Sequence, residues 1–379
     1  MTRRRRPCPA RHACLLALAF ALVSGPVQGV AADEGPVASK ARSPTVDAAV
    51  TGGLAWLAAA QQPDGSWGSG PFRGSVAVTA QVMLAIASAG DTPASGRHAD
   101  ALTRGVEYLL ACAAPDGLIA GNEQAAHGPM YGHAFATTVL AELYGETDVD
   151  DRVAEVLVAA RGLIDRTQNN EGGWRYQPIR ADADLSVTVG VLVALRALHA
   201  SGYEVDATTV ERAAAFIAGL QNPDGGFRYR ATPGPGGSPR TAAALFGLLV
   251  AGRADEPLLA AGRAWLDAHP LSLDAADGYA LYGLCYEAAA RWQRHAGDPG
   301  WNAWHQEVAG RLLAAQRGDG AWQDPSGDEY GTAAAVMVLC MPRGLAPLFQ
   351  PESFRPDSFE PGALEPASGS PGPRPEPRP

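Results

Sequence analysis

One turn, written four times, constrains this chain more than any other feature. Gln61-Gln62-Pro63-Asp64-Gly65-Ser66-Trp67 is echoed by Gln168-Asn169-Asn170-Glu171-Gly172-Gly173-Trp174, by Gln221-Asn222-Pro223-Asp224-Gly225-Gly226-Phe227 and by Gln316-Arg317-Gly318-Asp319-Gly320-Ala321-Trp322. An apolar stretch with helical spacing leads into each copy, and another follows it. Self-similarity at a period of about 50 residues marks stacked supersecondary units, so the repeat predicts an architecture before any residue is read for chemistry.

Helical periodicity fills the middle of the chain, and no stretch reads as a strand. Apolar residues recur at helical spacing in six pairs: Val46–Ala60 with Val76–Ala89, Ala101–Cys112 with Phe135–Tyr144, Val153–Ile164 with Leu185–His199, Val210–Leu220 with Thr241–Ala251, Leu258–Ala268 with Tyr279–Trp292, and Trp304–Ala315 with Thr332–Met341. First helices carry a polar side (Asp47, Glu107, Arg152, Glu211, Arg263, Glu307). Second helices, such as Val187–Val193 and Ala333–Leu339, are apolar nearly all round, which predicts burial. Half-exposed helices alternating with buried ones predict two concentric rings. The Asp-Gly or Gly-Gly turn ends each outer helix with a residue free to take positive φ.

The ends read differently. Arg3–Arg6, the apolar run Cys14–Val23 and the small residues Val30-Ala31-Ala32 read as a secretory signal over 1–32, cleaved near Ala32. The run is too short to span a bilayer as a helix. The expected location is therefore periplasmic or extracellular. A short linker, 33–43, precedes the repeat domain, 44–345, and a tail over 346–379 rich in Pro, Glu, Ser and Gly follows, with a disordered composition. The formal charge of −10 argues against a nucleic-acid partner. Cys112, Cys285 and Cys340 remain after processing; their number and spacing exclude a full disulfide framework and a close-set zinc motif. No cofactor and no protein partner is indicated.

The turn resembles the QW repeat of squalene–hopene cyclases and the related repeat of protein prenyltransferase β subunits. That pattern runs Gly, two residues, an aromatic, Leu, three residues, Gln, three residues, Gly, one residue, Trp, and Gly53–Trp67 matches it in full. The copies ending at Trp174, Phe227 and Trp322 match its second half. In the copy at Gly105–Leu118, Ala113 stands for Gln and Leu118 for Trp, and the copy near Trp265 keeps only its start. The resemblance covers about residues 44–345 and implies an all-α, α6/α6 toroid with a central cavity.

If every outer helix leads into an inner one through such a turn, the inner helices all begin at one end, where their N-terminal N–H groups and dipoles converge. The polar residues just before them are the candidates for binding a small or lipid-like ligand: Arg73, His127, Tyr131, His133, Arg175, Tyr176, Arg180, Arg228, Tyr229, Arg240, Asp277, Asp328 and Tyr330. His127 and His133 do not form a zincin pair. Asp182-Ala183-Asp184-Leu185-Ser186 is the sharpest signal. In the cyclases a DxDD-Thr sequence opens an inner helix, and its central Asp protonates an alkene. The resemblance aligns Asp182 and Asp184 with the first and central Asp, while Leu185 replaces the third. Protonating an alkene demands an unusually strong acid, so losing a member of the set matters. Helix capping by Asp before an apolar helix is the competing reading, and ligand binding a third.

Asp148-Val149-Asp150-Asp151 is a literal DxDD, but it opens an outer helix. In prenyltransferase β subunits the inner-helix start carries Asp-x-Cys and a later His as zinc ligands; here Asp184 stands for Cys and Gly331 lies near the expected His, which argues against zinc. The fragment Gly121-Asn122-Glu123-Gln124 is partly similar to the thioester motif of complement-like proteins without its Cys. Three functions follow as expectations: a toroid binding an apolar or anionic ligand, a terpenoid-cyclase-like enzyme with Asp184 as proton donor, or a carbohydrate-active toroid with Asp184 facing Asp277 or Asp328.

Overall fold

The structure, a computed structural model, describes residues 44–121, 128–253, 256–273, 279–295, 298–346, 348 and 350. His127, Asp277, the signal segment, the linker and all but the first few residues of the tail lie outside the described residues. Among the described residues there are twelve α-helices and no strand. In chain order they are α1 (Pro44–Ala60), α2 (Val76–Ser88), α3 (Ala99–Ala111), α4 (Met130–Leu143), α5 (Asp150–Thr167), α6 (Leu185–Ala200), α7 (Ala207–Ala218), α8 (Ser238–Val250), α9 (Glu256–Ala268), α10 (Ala280–His295), α11 (Pro299–Ala315) and α12 (Asp328–Cys340). None is long and apolar enough to cross a membrane.

The even-numbered helices form the inner ring. Each packs on the next, from α2 through α4, α6, α8 and α10 to α12, and α12 packs back on α2. The odd-numbered helices lie outside, with α1 against α11 and α12 where the ends of the ring meet. This is an all-α, α6/α6 toroid. Burial follows the sequence pattern: every residue of α6 from Leu185 to Leu198 is buried, whereas α5 buries one stripe, Val153, Leu157, Ala160, Leu163, Ile164 and Thr167.

The repeated turn does the joining. In each full copy the Gln side chain donates to two carbonyls, one in its own turn and one in the next outer helix. Gln61 Nε2 reaches Gly65 O at 3.0 Å and Ala101 O at 2.9 Å; Gln168 reaches Gly172 and Thr209, both at 2.8 Å; Gln221 reaches Gly225 and Leu258 at 3.1 and 2.9 Å. Gln316 binds Gly320 O and, across the closure, Ala49 O, each at 2.9 Å. Gly320 has φ of 96°, and a Cβ there would fall on the Gly52 carbonyl of α1, so only glycine lets the two segments approach. The indole N–H groups of Trp67, Trp174 and Trp322 tie back to Leu57, Ile164 and Leu312 at 2.7–3.0 Å. The backbone N–H of each terminal aromatic donates inward to a buried threonine, Thr79, Thr188, Thr241 or Thr332.

The second repeat corrects one alignment. The residue in the tryptophan position is Ile119, not Leu118. Ala113 bridges to Ile119 as Gln221 does to Phe227, and Ile119 is fully buried. Its N–H donates to His133 Nδ1 at 3.3 Å, so an imidazole takes the place of the threonine used elsewhere. At the far end the packed chain continues past 345: Ala346 and Leu348 are buried, and Leu348 N–H donates to Glu142 at 3.0 Å.

Gln316→Ala removes two hydrogen bonds worth about 1 kcal/mol each and leaves the Ala49 and Gly320 carbonyls without their side-chain donor. Urea unfolding should show a loss of about 2 kcal/mol with little change in slope. An unchanged midpoint would show that the ring does not depend on this closure.

Candidate active site

The turns after the outer helices bring the starts of the inner helices to one end. Leu185 N–H at the start of α6 donates to Tyr229 O, and Met130 N–H at the start of α4 donates to Tyr176 O, at 3.0 and 3.2 Å. The starts of α4 and α6 are thus each capped by the turn of the following repeat. Tyr176 and Tyr229 stand two residues after Trp174 and Phe227, and their hydroxyls meet at 2.5 Å.

Asp184 sits beneath this pair. It is the N-cap of α6: Oδ1 accepts from Val187 N–H at 2.9 Å, and the side chain is fully buried. Oδ2 has no hydrogen-bond partner at ordinary distance, and Arg175 Nε is 3.7 Å away. Burial pushes the carboxyl up to about 6, against the Val187 N–H, Tyr229 and Arg175, which all pull it down. One oxygen of Asp184 is thus a helix cap, and the other lies 3.7 Å from Arg175 Nε.

Asp182 does not join it. Its carboxyl is about half exposed and pairs with Arg175 and, at 3.6 Å, with Arg230. Arg175 links the two acids, and its guanidinium stacks over the Tyr176 ring at 4.9 Å. The pair Asp182–Arg175 covers the site from outside rather than supplying a second acid within it.

A band of aromatics continues inward from Asp184. Tyr131 of α4 lies 6.1 Å from the Tyr176 ring and 6.3 Å from Phe135. Tyr282 and Tyr286 of α10 stack edge-on at 4.7 Å, and Phe246 of α8 is 5.7 Å from Tyr286. Tyr330 of α12 interacts electrostatically with Tyr282, Tyr286 and Cys285. Tyr131, Tyr282, Tyr286 and Tyr330 are half-buried, yet burial raises every one of these phenols well above its usual range. These four phenols are neither fully buried nor open to solvent. The charge of Asp184 raises Tyr131 and Tyr282 further.

The remaining candidates have other partners. His133 is a fully buried residue of α4, and burial lowers its pKa to about 4, so it stays neutral and can accept from Ile119. Arg228 binds the end of α7 through Gly219 O at 2.6 Å, Arg180 reaches Asn170, and Arg240 reaches Pro235 O. Arg73 is exposed beside a short 3-10 turn, Gly70–Phe72. Asp328 pairs with Arg317 at 2.5 Å on the outside. These side chains do not converge into one anion clamp. Among the described residues no three His, Cys, Asp or Glu come together as a metal site. The sequence reading missed Tyr282, Tyr286 and Phe246, which lie inside inner helices rather than before them. Their signal was present: Tyr282 and Tyr286 are four apart, one helical face of α10.

No family model and no curated protein matches the sequence. Solved structures do. A variant of the type II terpene cyclase MstE from Scytonema, in complex with its substrate geranylgeranyl dihydroxybenzoate, matches with a TM-score of 0.55 at 16% identity, over 80% of this chain and 98% of that one. A protein from Actinoplanes matches with a TM-score of 0.54 at 19% identity, over 79% and 99%. At such identities the likeness is one of fold: this chain shares the all-α toroid of these structures.

Asp184 should also make stability depend on pH. An unfolded Asp ionises near 3.9, whereas the folded one holds its proton to about 6. The folded state binds more protons between those values, so this group's contribution falls as pH rises from about 4 to 6, by about 1.4 kcal/mol per unit. Asn at 184 keeps the capping oxygen and does not titrate. Urea midpoints should therefore favour Asp184→Asn over the parent by on the order of 2 kcal/mol more at pH 7 than at pH 4. Parallel pH profiles would contradict the burial of this carboxyl.

Proposed function

We propose that the toroid binds an apolar, isoprenoid-class small molecule in the space lined by Tyr131, Tyr282, Tyr286, Phe246 and Tyr330, with its polar end towards Asp184. The observation that carries this reading is the half-buried aromatic band near the fully buried carboxyl of Asp184. Aromatic walls bury long hydrocarbon chains well, and their faces also tolerate positive charge. The bound geranylgeranyl compound of the Scytonema cyclase, on the same fold, supports the ligand class.

A second reading, turnover by proton donation from Asp184, is favoured by the unmatched Oδ2 and the raised pKa. It stands second on chemical grounds. With a pKa near 6, only about a tenth of the carboxyls carry a proton at pH 7, and the proton they carry is weakly acidic. No second carboxyl strengthens it, because Asp182 pairs with arginines at the surface and Leu185 is an apolar core residue. A carbohydrate-active site would need a facing carboxylate, and Asp328 is engaged with Arg317. Export belongs to the same proposal, supported by Arg3–Arg6 and the apolar run Cys14–Val23; the N-terminus of exported protein, read by mass spectrometry, should lie near Asp33.

Geranylgeraniol serves as the probe. Calorimetry should show binding that weakens about ten-fold or more in Tyr131→Ala/Tyr282→Ala and survives in Asp184→Asn. Prolonged incubation followed by mass spectrometry separates the two readings. A cyclised product from the parent but not from Asp184→Asn would raise the second reading over the first. Absence of binding would overturn both.

A further inference from the structure

The second repeat lacks the clamp that joins every other complete turn to the next outer helix, and a cleft of about 420 Å³ stands at that joint. Ala113 occupies the position held by Gln61, Gln168, Gln221 and Gln316. In those copies the carboxamide donates to the carbonyl of the turn glycine and to a carbonyl of the following outer helix. That second carbonyl lies three residues before the one that packs on the glycine, as Ala101 precedes Arg104, Thr209 precedes Arg212, Leu258 precedes Ala261 and Ala49 precedes Gly52. Gly117 packs on Ala159 of α5, so the equivalent acceptors are the carbonyls of Gly117 and Val156. Both residues line the cleft, together with Leu110, Ala114 and Pro115 on its apolar walls. Among the described residues no side chain donates to either carbonyl, although both surround the place a glutamine fills elsewhere.

We propose that this joint is a binding site for a carboxamide, with the ligand's –CONH2 donating to the Gly117 and Val156 carbonyls and its apolar part resting on Leu110 and Pro115. The occupant's chemistry is set by the protein's own repetition: four identical joints hold a carboxamide on the end of an aliphatic stem. A cation is a poorer match, because a neutral amide is what those four pairs of carbonyls accept. The ligand is either a small primary amide or a glutamine side chain presented by a peptide. The site lies outside the ring and does not depend on the aromatic space around Asp184.

The test uses propionamide, which is the end of a glutamine side chain, titrated into the full protein and followed by amide chemical shifts. Shifts should concentrate at residues 113–118 and 152–159 with a dissociation constant in roughly the millimolar range, as its size allows. N,N-dimethylpropionamide keeps the carbonyl and the apolar part but has no N–H to donate, and it should bind at least about ten-fold more weakly. Ala113→Gln supplies the missing group from within; it should abolish propionamide binding and raise the thermal midpoint. A peptide with one glutamine between two leucines separates the sources: binding tighter than propionamide assigns the site to a peptide, equal or weaker binding to a small amide. Equal binding of propionamide and its dimethyl form overturns the proposal, as does binding unchanged in Ala113→Gln. If that variant fails to fold, the comparison of the two amides on the parent protein still decides.

Discussion

The fold depends on a carboxamide that binds two carbonyls at once. A helix pair with an all-round apolar second member cannot hide that surface alone, so each pair must be held to its neighbours. The Gln–Gly turn does this by fixing the end of one outer helix to the first half of the next. The terminal tryptophan and the inner-helix threonine then tie the turn to the core. Gln316 matters most because its second acceptor, Ala49 of α1, closes the ring, as the packing of α12 on α2 does inside it.

Closure also creates the site. Because every turn feeds its inner helix from the same end, the start of α6 comes under the turn of the following repeat, and Tyr229 and Tyr176 meet above Asp184. The cost is a carboxyl taken out of water. One oxygen is compensated by the helix N-terminus, while the other faces Arg175 at 3.7 Å with no hydrogen bond. Burial raises the pKa against the pull of Val187 N–H, Tyr229 and Arg175. It also limits the chemistry, since a carboxyl that burial holds protonated is not thereby made a strong acid.

Much of this was legible in the sequence, because the physical causes are local. The period of the turn, the alternation of half-polar and apolar helices and the capping Asp at 184 all act over a few residues. The two-ring arrangement and the position of Asp184 at an inner-helix start follow from them. What could not be read depends on contacts far apart in sequence. Asp182 lies two residues from Asp184 but points outward to Arg175 and Arg230. Arg228, Arg180 and Arg240 are ligand-binding candidates in sequence, yet each finds a carbonyl or amide close to its own turn. The aromatic band was legible only in pieces, Tyr131 and Tyr330 before inner helices and Tyr282 and Tyr286 on one face of α10, because its members come from α4, α8, α10 and α12. The Leu118 alignment was one residue short: Gly117 holds the glycine of the pattern, and the position two after it is Ile119.

The central claim is that the closed ring holds Asp184 at a protein-enclosed, ligand-accepting space. A carbon-detected titration of the Asp184 carboxyl tests it most directly. The account predicts a midpoint near 6 in the free protein, rising further when geranylgeraniol fills the space and removes the remaining water. A midpoint near the ordinary value of about 4, unmoved by the probe, would contradict it.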